Sequence, residues 1–80
     1  MTRIEITEKL NEIFQDVFDD ESLQISDELT SNDIEDWDSL RQISILSAVE
    51  DEFNIKMAIS DTRNLKNIGA LVDLIEARIA

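Results

Sequence analysis

The chain contains no histidine and no cysteine. Histidine is the usual base that activates a serine, the usual proton shuttle near neutral pH and the commonest transition-metal ligand, so its absence argues against self-contained nucleophilic catalysis. Without cysteine there is no disulfide, thiolate nucleophile or thiolate metal site, and the redox compartment is left open. Proline is also absent and glycine occurs once, at Gly69, which excludes a glycine-rich phosphate loop. Bases are scarce as well: seven Lys and Arg stand against 19 Asp and Glu, for a net charge of -12. Such a field repels phosphate backbones and anionic lipid headgroups, and it attracts basic protein surfaces over a range that shrinks as salt is added. Nucleic acid and membrane are therefore poor partners, and basic proteins good ones. No stretch approaches the roughly 18 apolar residues of a membrane span. The charged start Met1-Thr2-Arg3-Ile4-Glu5 lacks the apolar run of a signal peptide, so a soluble cytoplasmic protein, monomeric for want of any sign otherwise, is expected.

What is present is enough hydrophobic residue, 42% of 80, to build one thin core, so residues 1–80 read as a single domain with a charged surface. Ile6, Leu10, Ile13, Phe14 and Val17 recur at helical spacing, and Thr2 with Glu5 has the spacing of a capping box, which predicts a first helix over 3–18. From Asp19 to Trp37 no period persists. Only Leu23, Ile25, Leu29, Ile34 and Trp37 interrupt the polar run, so a long loop pinned by these anchors is expected, with one helical turn after Ser31. A second helix is predicted from Asp38, a good N-cap type, to Phe53, with Ile43, Ile45, Leu46, Val49 and Phe53 on its core face. Phe53, Ile55, Met57 and Ile59 alternate like a strand but have nothing to pair with, and so read as an extended connector. A short helix capped by Ser60 and reaching Lys66 follows. The last helix is capped by Asn67 and carries the stripe Ile68, Leu71, Val72, Ile75 and Ile79. The expected fold is all-α: a small four-helix bundle of three main helices and one short one, with a long loop between helices one and two.

Two acid-based chemistries can be weighed and set aside. Asp36 and Asp38 could be imagined as a catalytic pair, but such a pair needs a substrate cleft to hold it at a working separation. Asp19, Asp20, Glu21, Asp27 and Glu28 are oxygen ligands close in sequence, yet the calcium-loop pattern with its glycine at position six is missing, and no metal site is assigned. The segment that stands out is Ile34-Glu35-Asp36-Trp37-Asp38-Ser39-Leu40, which places Asp38 at a helix cap and Ser39 in the first turn. The free N–H groups and positive dipole end there suit a phosphate on the Ser39 hydroxyl, although a serine in a helix's first turn is usually only a good N-terminal residue.

Asp38-Ser39-Leu40, followed by the acidic and aromatic run Glu50-Asp51-Glu52-Phe53 and then by Leu65 and Ile68 at the head of an amphipathic helix, resembles the acyl carrier proteins. The likeness runs over nearly the whole chain, and length, acidity and the lack of Cys and His agree with it. The resemblance implies that a phosphopantetheinyl transferase joins 4'-phosphopantetheine from coenzyme A to Ser39, with Asp38 and Leu40 completing the motif. The arm's thiol then carries acyl groups as thioesters between loading, elongating and acyl-transferring enzymes, and the carrier itself is no enzyme. It also implies that the helices can shelter an acyl chain, for which Ile45, Leu46, Val49, Met57 and Leu65 are candidates, although ordinary core positions would look the same.

Leu40 projects among Ser44, Ser47 and Asp51, an apolar residue on a polar face, which resembles the family's contact point for partner enzymes. The chain departs from the better known fatty-acid carriers, whose corresponding helix is acidic at its start: Arg41, Gln42, Ser44 and Ser47 are expected to make that face neutral to slightly basic. From Asp16 through Asp38 there are instead ten acids and no base. With Trp37 in front of the motif, where many primary carriers have a small residue, this points to a specialised fatty-acid or polyketide-like pathway with Trp37, Leu40, Arg41, Ser44 and Ser47 facing partners. An aminoacyl or peptidyl carrier using the same serine, and a non-covalent acidic adaptor whose Ser39 is never modified, are the competing readings.

Overall fold

The computed structural model describes residues 1–34, 36–62 and 65–79, and among these the regular structure is entirely helical. Helix α1 runs Arg3–Val17, α2 Ser39–Phe53, α3 Ile59–Thr62 and α4 Ile68–Ile79. The start of α1 follows from its capping box: the Thr2 hydroxyl accepts from the Glu5 amide at 3.2 Å, and the Glu5 carboxylate accepts from the Thr2 amide at 3.0 Å. The helix stops one residue before its expected end, with Phe18 as its cap. Helix α2 ends where Asn54 turns left-handed, at φ 54°, a conformation asparagine tolerates better than a branched residue.

Helix α1 packs against both α2 and α4. Its stripe of Ile6, Leu10, Ile13 and Phe14 meets Ile45, Leu46, Val49 and Phe53 from α2 and Ile68, Leu71, Val72 and Ile75 from α4 in one core. Burying one such side chain contributes about 2 kcal/mol, so a few of them decide whether a chain this short folds. Two expected core residues lie elsewhere. Ile79, in the last turn of α4, is 36% exposed. Ile43 is 52% exposed. It stands about 100° around α2 from the middle of the buried stripe, too far to reach the core.

The loop from Phe18 to Asp38 is tied down on both sides. Towards α1, the Asn11 side chain accepts from the Ile25 amide at 2.8 Å, and Gln15 donates to the carbonyls of Glu21 and Leu23. Towards α4, the first amides of that helix donate to the loop: Ile68 to the Leu29 carbonyl at 2.9 Å and Gly69 to the Asp27 carbonyl at 3.0 Å. These amides have no partner within their own helix, so the loop acts as its cap. Asn67 adds the expected side-chain cap, accepting from Ala70 at 3.0 Å. Leu23, Ile25, Leu29, Ile34 and Trp37 all pack against the core, and the expected turn is a 3-10 helix over Ser31–Asp33 with Thr30 as its cap.

The connector after α2 is extended, with Met57 buried and Ile55 partly so. The expected short helix is described for one turn, and Ser60 falls inside that turn instead of capping it. The Asp61 carboxylate does the capping, accepting from the Ala58 amide at 2.9 Å. Residues 63 and 64, within the expected span, lie outside the described residues. Arg78 fastens this region to α4, donating to the Lys56 carbonyl at 2.8 Å and pairing with Asp61 at 3.0 Å. Along the middle of α4, Arg3 bonds Asp73 at 2.6 Å and Glu76 at 2.7 Å, which holds its guanidinium protonated well above the ordinary range.

Two outcomes follow from these contacts. A Cβ at Gly69 would lie 3.2 Å from the Asp27 Cβ and 3.3 Å from its carbonyl oxygen. Alanine would gain about 1 kcal/mol of helix propensity but push away the loop backbone that caps α4, so Gly69→Ala should lower stability by about 1 kcal/mol net in urea unfolding. The Ala58 amide, and then Arg78, hold the Asp61 carboxyl below its ordinary value. A depressed carboxyl stabilises the fold above its unfolded value and loses that effect as pH falls through the folded one. Asp61→Asn should therefore be the less stable protein near neutral pH, and the two unfolding curves should converge in strong acid.

Candidate functional site

Asp38 sits in extended backbone just ahead of α2, and its carboxylate accepts from the Arg41 amide at 2.9 Å while its carbonyl accepts from Gln42 at 3.0 Å. With those two amides engaged, the amides of Ser39 and Leu40 remain without protein acceptors among the described residues. Ser39 is exposed on the first turn, its side chain open to solvent beside two outward amides at the positive end of a 15-residue helix. An anion bonded to its hydroxyl would meet favourable dipoles and no obstructing side chain.

The residue before this turn serves as the expected loop anchor and does not stand out on the exposed face of α2. Trp37 turns toward the protein: its ring meets Phe14 edge-on at a centroid distance of 5.2 Å and Phe18 at 6.0 Å. Its indole N–H donates to the Gln42 Oε1 at 2.6 Å. An indole nitrogen can only donate, so this bond fixes the amide of Gln42 oxygen-inward. Trp37 thus pins the loop to α1 and the first turn of α2 at once. Gln42 is drawn off the exposed face by the same contact, and Arg41 is half-buried, with its Nε buried and unpartnered among the described residues. The exposed face is instead Leu40, at 66%, and Ile43, at 52%, bordered by Ser44 and Ser47. Two apolar side chains at i, i+3 form one small patch beside Ser39.

The residues expected to shelter a chain are closed core: Ile45 and Val49 are 0% exposed, Leu46 4% and Met57 9%. One open recess lies near the start of α2, about 270 Å³ between the loop, the first turns of α2 and the segment entering α4, lined among others by Leu29, Trp37, Gln42, Leu65 and Leu71. Of the expected set only Leu65 borders it. Among the described residues no three acidic side chains are arranged to hold a metal ion, and no helix is long and apolar enough to cross a membrane.

No protein-family model matches the chain. Its fold is similar to the solution NMR structure of a holo acyl carrier protein from Geobacter metallireducens, with a TM-score of 0.85 and 36% sequence identity over 92% of this chain and 85% of that one. The chain belongs to the acyl carrier protein family.

In this acyl carrier protein the start of the second helix is held from behind by an aromatic cluster and opens forward onto an apolar patch. Ile43 was hidden from the sequence reading because every isoleucine on an amphipathic helix looks like core until the stripe's centre is known. The angular position of Gln42, in the middle of the buried stripe, was the available signal. The two isoleucines should separate cleanly in unfolding experiments. Ile45→Ala should cost about 2–5 kcal/mol, as a truncation in a closed core does. Ile43→Ser, at the surface, should stay within about 0.5 kcal/mol of the parent.

Proposed function

We propose that residues 1–80 form one carrier domain, its short α3 completing a four-helix bundle, which accepts 4'-phosphopantetheine on Ser39 and carries acyl intermediates between enzymes. The observation that supports this most directly is the exposed Ser39 hydroxyl at a capped helix start, in a chain whose solved relative is a holo acyl carrier protein. In the transfer, the Ser39 oxygen bonds to the phosphorus that carries pantetheine in coenzyme A. The phosphoanhydride bond breaks, adenosine 3',5'-bisphosphate leaves, and the hydroxyl proton passes to the transferase or solvent. The attached group supplies a terminal thiol that holds acyl groups as thioesters, a function no side chain of this cysteine-free protein could perform. The protein's own part is positional: Asp38 holds the first turn, the Ser39 and Leu40 amides face the phosphate, and the core stays closed behind them.

Partner enzymes are read as docking on Leu40 and Ile43, with Ser44 and Ser47 beside them and the acids of the loop alongside. That surface combines an apolar contact on α2 with negative charge displaced toward Asp33, Asp36 and Asp38. It fits partners with a shallow apolar recess next to basic residues, and it separates this chain from carriers that present acids at the start of α2. A specialised fatty-acid or polyketide-like pathway in the cytoplasm, served by dedicated loading and acyl-transferring enzymes, is the setting this supports. The carrier performs no catalysis of its own.

Incubation with coenzyme A, magnesium and a broad-specificity phosphopantetheinyl transferase should add one phosphopantetheinyl group to the intact mass. Ser39→Ala should gain nothing, and Leu40→Asp should be modified several-fold more slowly with unchanged helix content. A folded parent that gains no mass with several transferases would return the chain to the reading of a non-covalent acidic adaptor.

A further inference from the structure

Thr7, Asn11 and Gln15 recur every fourth residue, an uncharged polar row along α1, and Ile4, Glu8 and Glu12 form a second row beside it. The two rows stand about 120° and 180° around the helix from the middle of the core stripe, on the side turned away from α2. The loop passes the first row at Gln24, Ile25 and Asp27. Between helix and loop lie two adjoining recesses, about 430 Å³ and 290 Å³, that share Thr7 and Glu8. Together they form one open groove from Ile4 to Gln15, about 17 Å long at 1.5 Å per residue. It shares no lining residue with the recess beside α2.

The hydrogen-bonding groups of this groove are fixed and half used. The Ile25 amide donates to Asn11 Oδ1 at 2.8 Å, so the Asn11 oxygen is turned to the loop, and its amide hydrogens donate to no acceptor among the described residues. Gln15 donates to the carbonyls of Glu21 and Leu23, which leaves its Oε1 as an acceptor. A donor and an acceptor thus stand one turn apart, about 6 Å along the helix. That is close to the repeat of same-side groups in an extended chain, about 6.7 Å for two residues. In the outer row Ile4 is 71% exposed, and Glu8 and Glu12 pair with no base among the described residues. The neighbouring bases are engaged elsewhere, Arg3 by Asp27, Asp73 and Glu76 and Lys9 by Glu52.

These features narrow the occupant. An amphipathic helix needs an apolar stripe to lie on, and Ile4 is the one apolar residue of its row. A second copy of the chain, at a net charge of -12, and a nucleic acid would both be repelled. We infer that the groove docks an extended, basic peptide segment of a partner protein. Its main chain bonds Asn11 and Gln15, its cations meet Glu8 and Glu12, and an apolar side chain rests on Ile4. A segment held there leaves Ser39 and the Leu40 face uncovered, and the inference does not depend on Ser39 being modified.

The test titrates the isotope-labelled full chain with acetyl-Leu-Thr-Lys-Thr-Lys-amide and with the reversed sequence. Their leucine and lysines fall at every second residue, the spacing of Ile4, Glu8 and Glu12 on the helix. At least one should bind with a Kd of about 1 mM or tighter, shifting the side-chain amide resonances of Asn11 and Gln15 and the backbone amides of Ile25 and Asp27. Joint replacement Glu8→Gln and Glu12→Gln, at exposed positions, should keep the helix content while weakening binding about tenfold and flattening its salt dependence. Methylating the peptide's main-chain nitrogens keeps its charges but removes its N–H donors, and should weaken binding several-fold. No shift from either sequence at about 1 mM, shifts confined to residues 33–40, or equal binding by the methylated peptide would overturn the inference.

Discussion

The hydrogen bonds that the first amides of α4 donate to the Leu29 and Asp27 carbonyls fix the path of the loop, and most other features depend on them. A segment of this length has little regular structure of its own and would sample many paths if only its side chains held it. Tied to α4 at 27–29 and to α1 through Asn11 and Gln15, it has a short remaining distance to travel to α2. Trp37 then lands on Phe14 and Phe18 and takes Gln42 as its partner. The start of α2, with Ser39 on its first turn, is thereby held against the aromatic part of the core rather than floating at a loop's end. Gly69 is part of the same arrangement, since the loop backbone passes where a side chain would project.

Charge is arranged to leave this site clear. Of seven bases, Arg3 and Arg78 are spent on fastening α4 to neighbouring segments and Lys9 on Glu52 of α2. The acids concentrated from Asp16 to Asp38 are mostly exposed and mostly without ion pairs among the described residues. Their mutual repulsion disfavours compactness somewhat but keeps a strong field next to Ser39, the proposed attachment point, where a basic partner would feel it at a distance and lose it in salt. The proposed contact, through the exposed Leu40 and Ile43, is apolar and would be far less sensitive to salt than the approach. On the proposed reading, encounter and docking would draw on different residues.

Much of this was legible in the residues. The capping pair Thr2 and Glu5, the stripe of α1, the Asp38 cap and the anchors of the loop follow local rules of spacing and cap chemistry that tertiary contacts only reinforce. The family resemblance rested on Asp38-Ser39-Leu40 in that setting. What was not legible depended on contacts between distant segments. Trp37 reads as a loop anchor, but its seat on Phe14 and Phe18 is not encoded locally, and Gln42 reads with the exposed face until the indole claims its oxygen. Ile43 and Ile79 have the right spacing for core but lie exposed. The closed state of Ile45, Leu46, Val49 and Met57, and the opening of a recess between the loop, α2 and the segment entering α4, are consequences of packing that no periodicity encodes.

Amide hydrogen exchange at Ile68 and Gly69 tests the loop's tether most directly. These are first-turn amides, which without the loop would be unprotected and exchange at nearly the rate of an open chain. The account predicts protection approaching that of the central amides of α4, with Gly69→Ala reducing it at both positions. Exchange as fast as in the frayed end of α4 would show that the loop is not held there, and that the placement of Trp37 and Ser39 needs another cause.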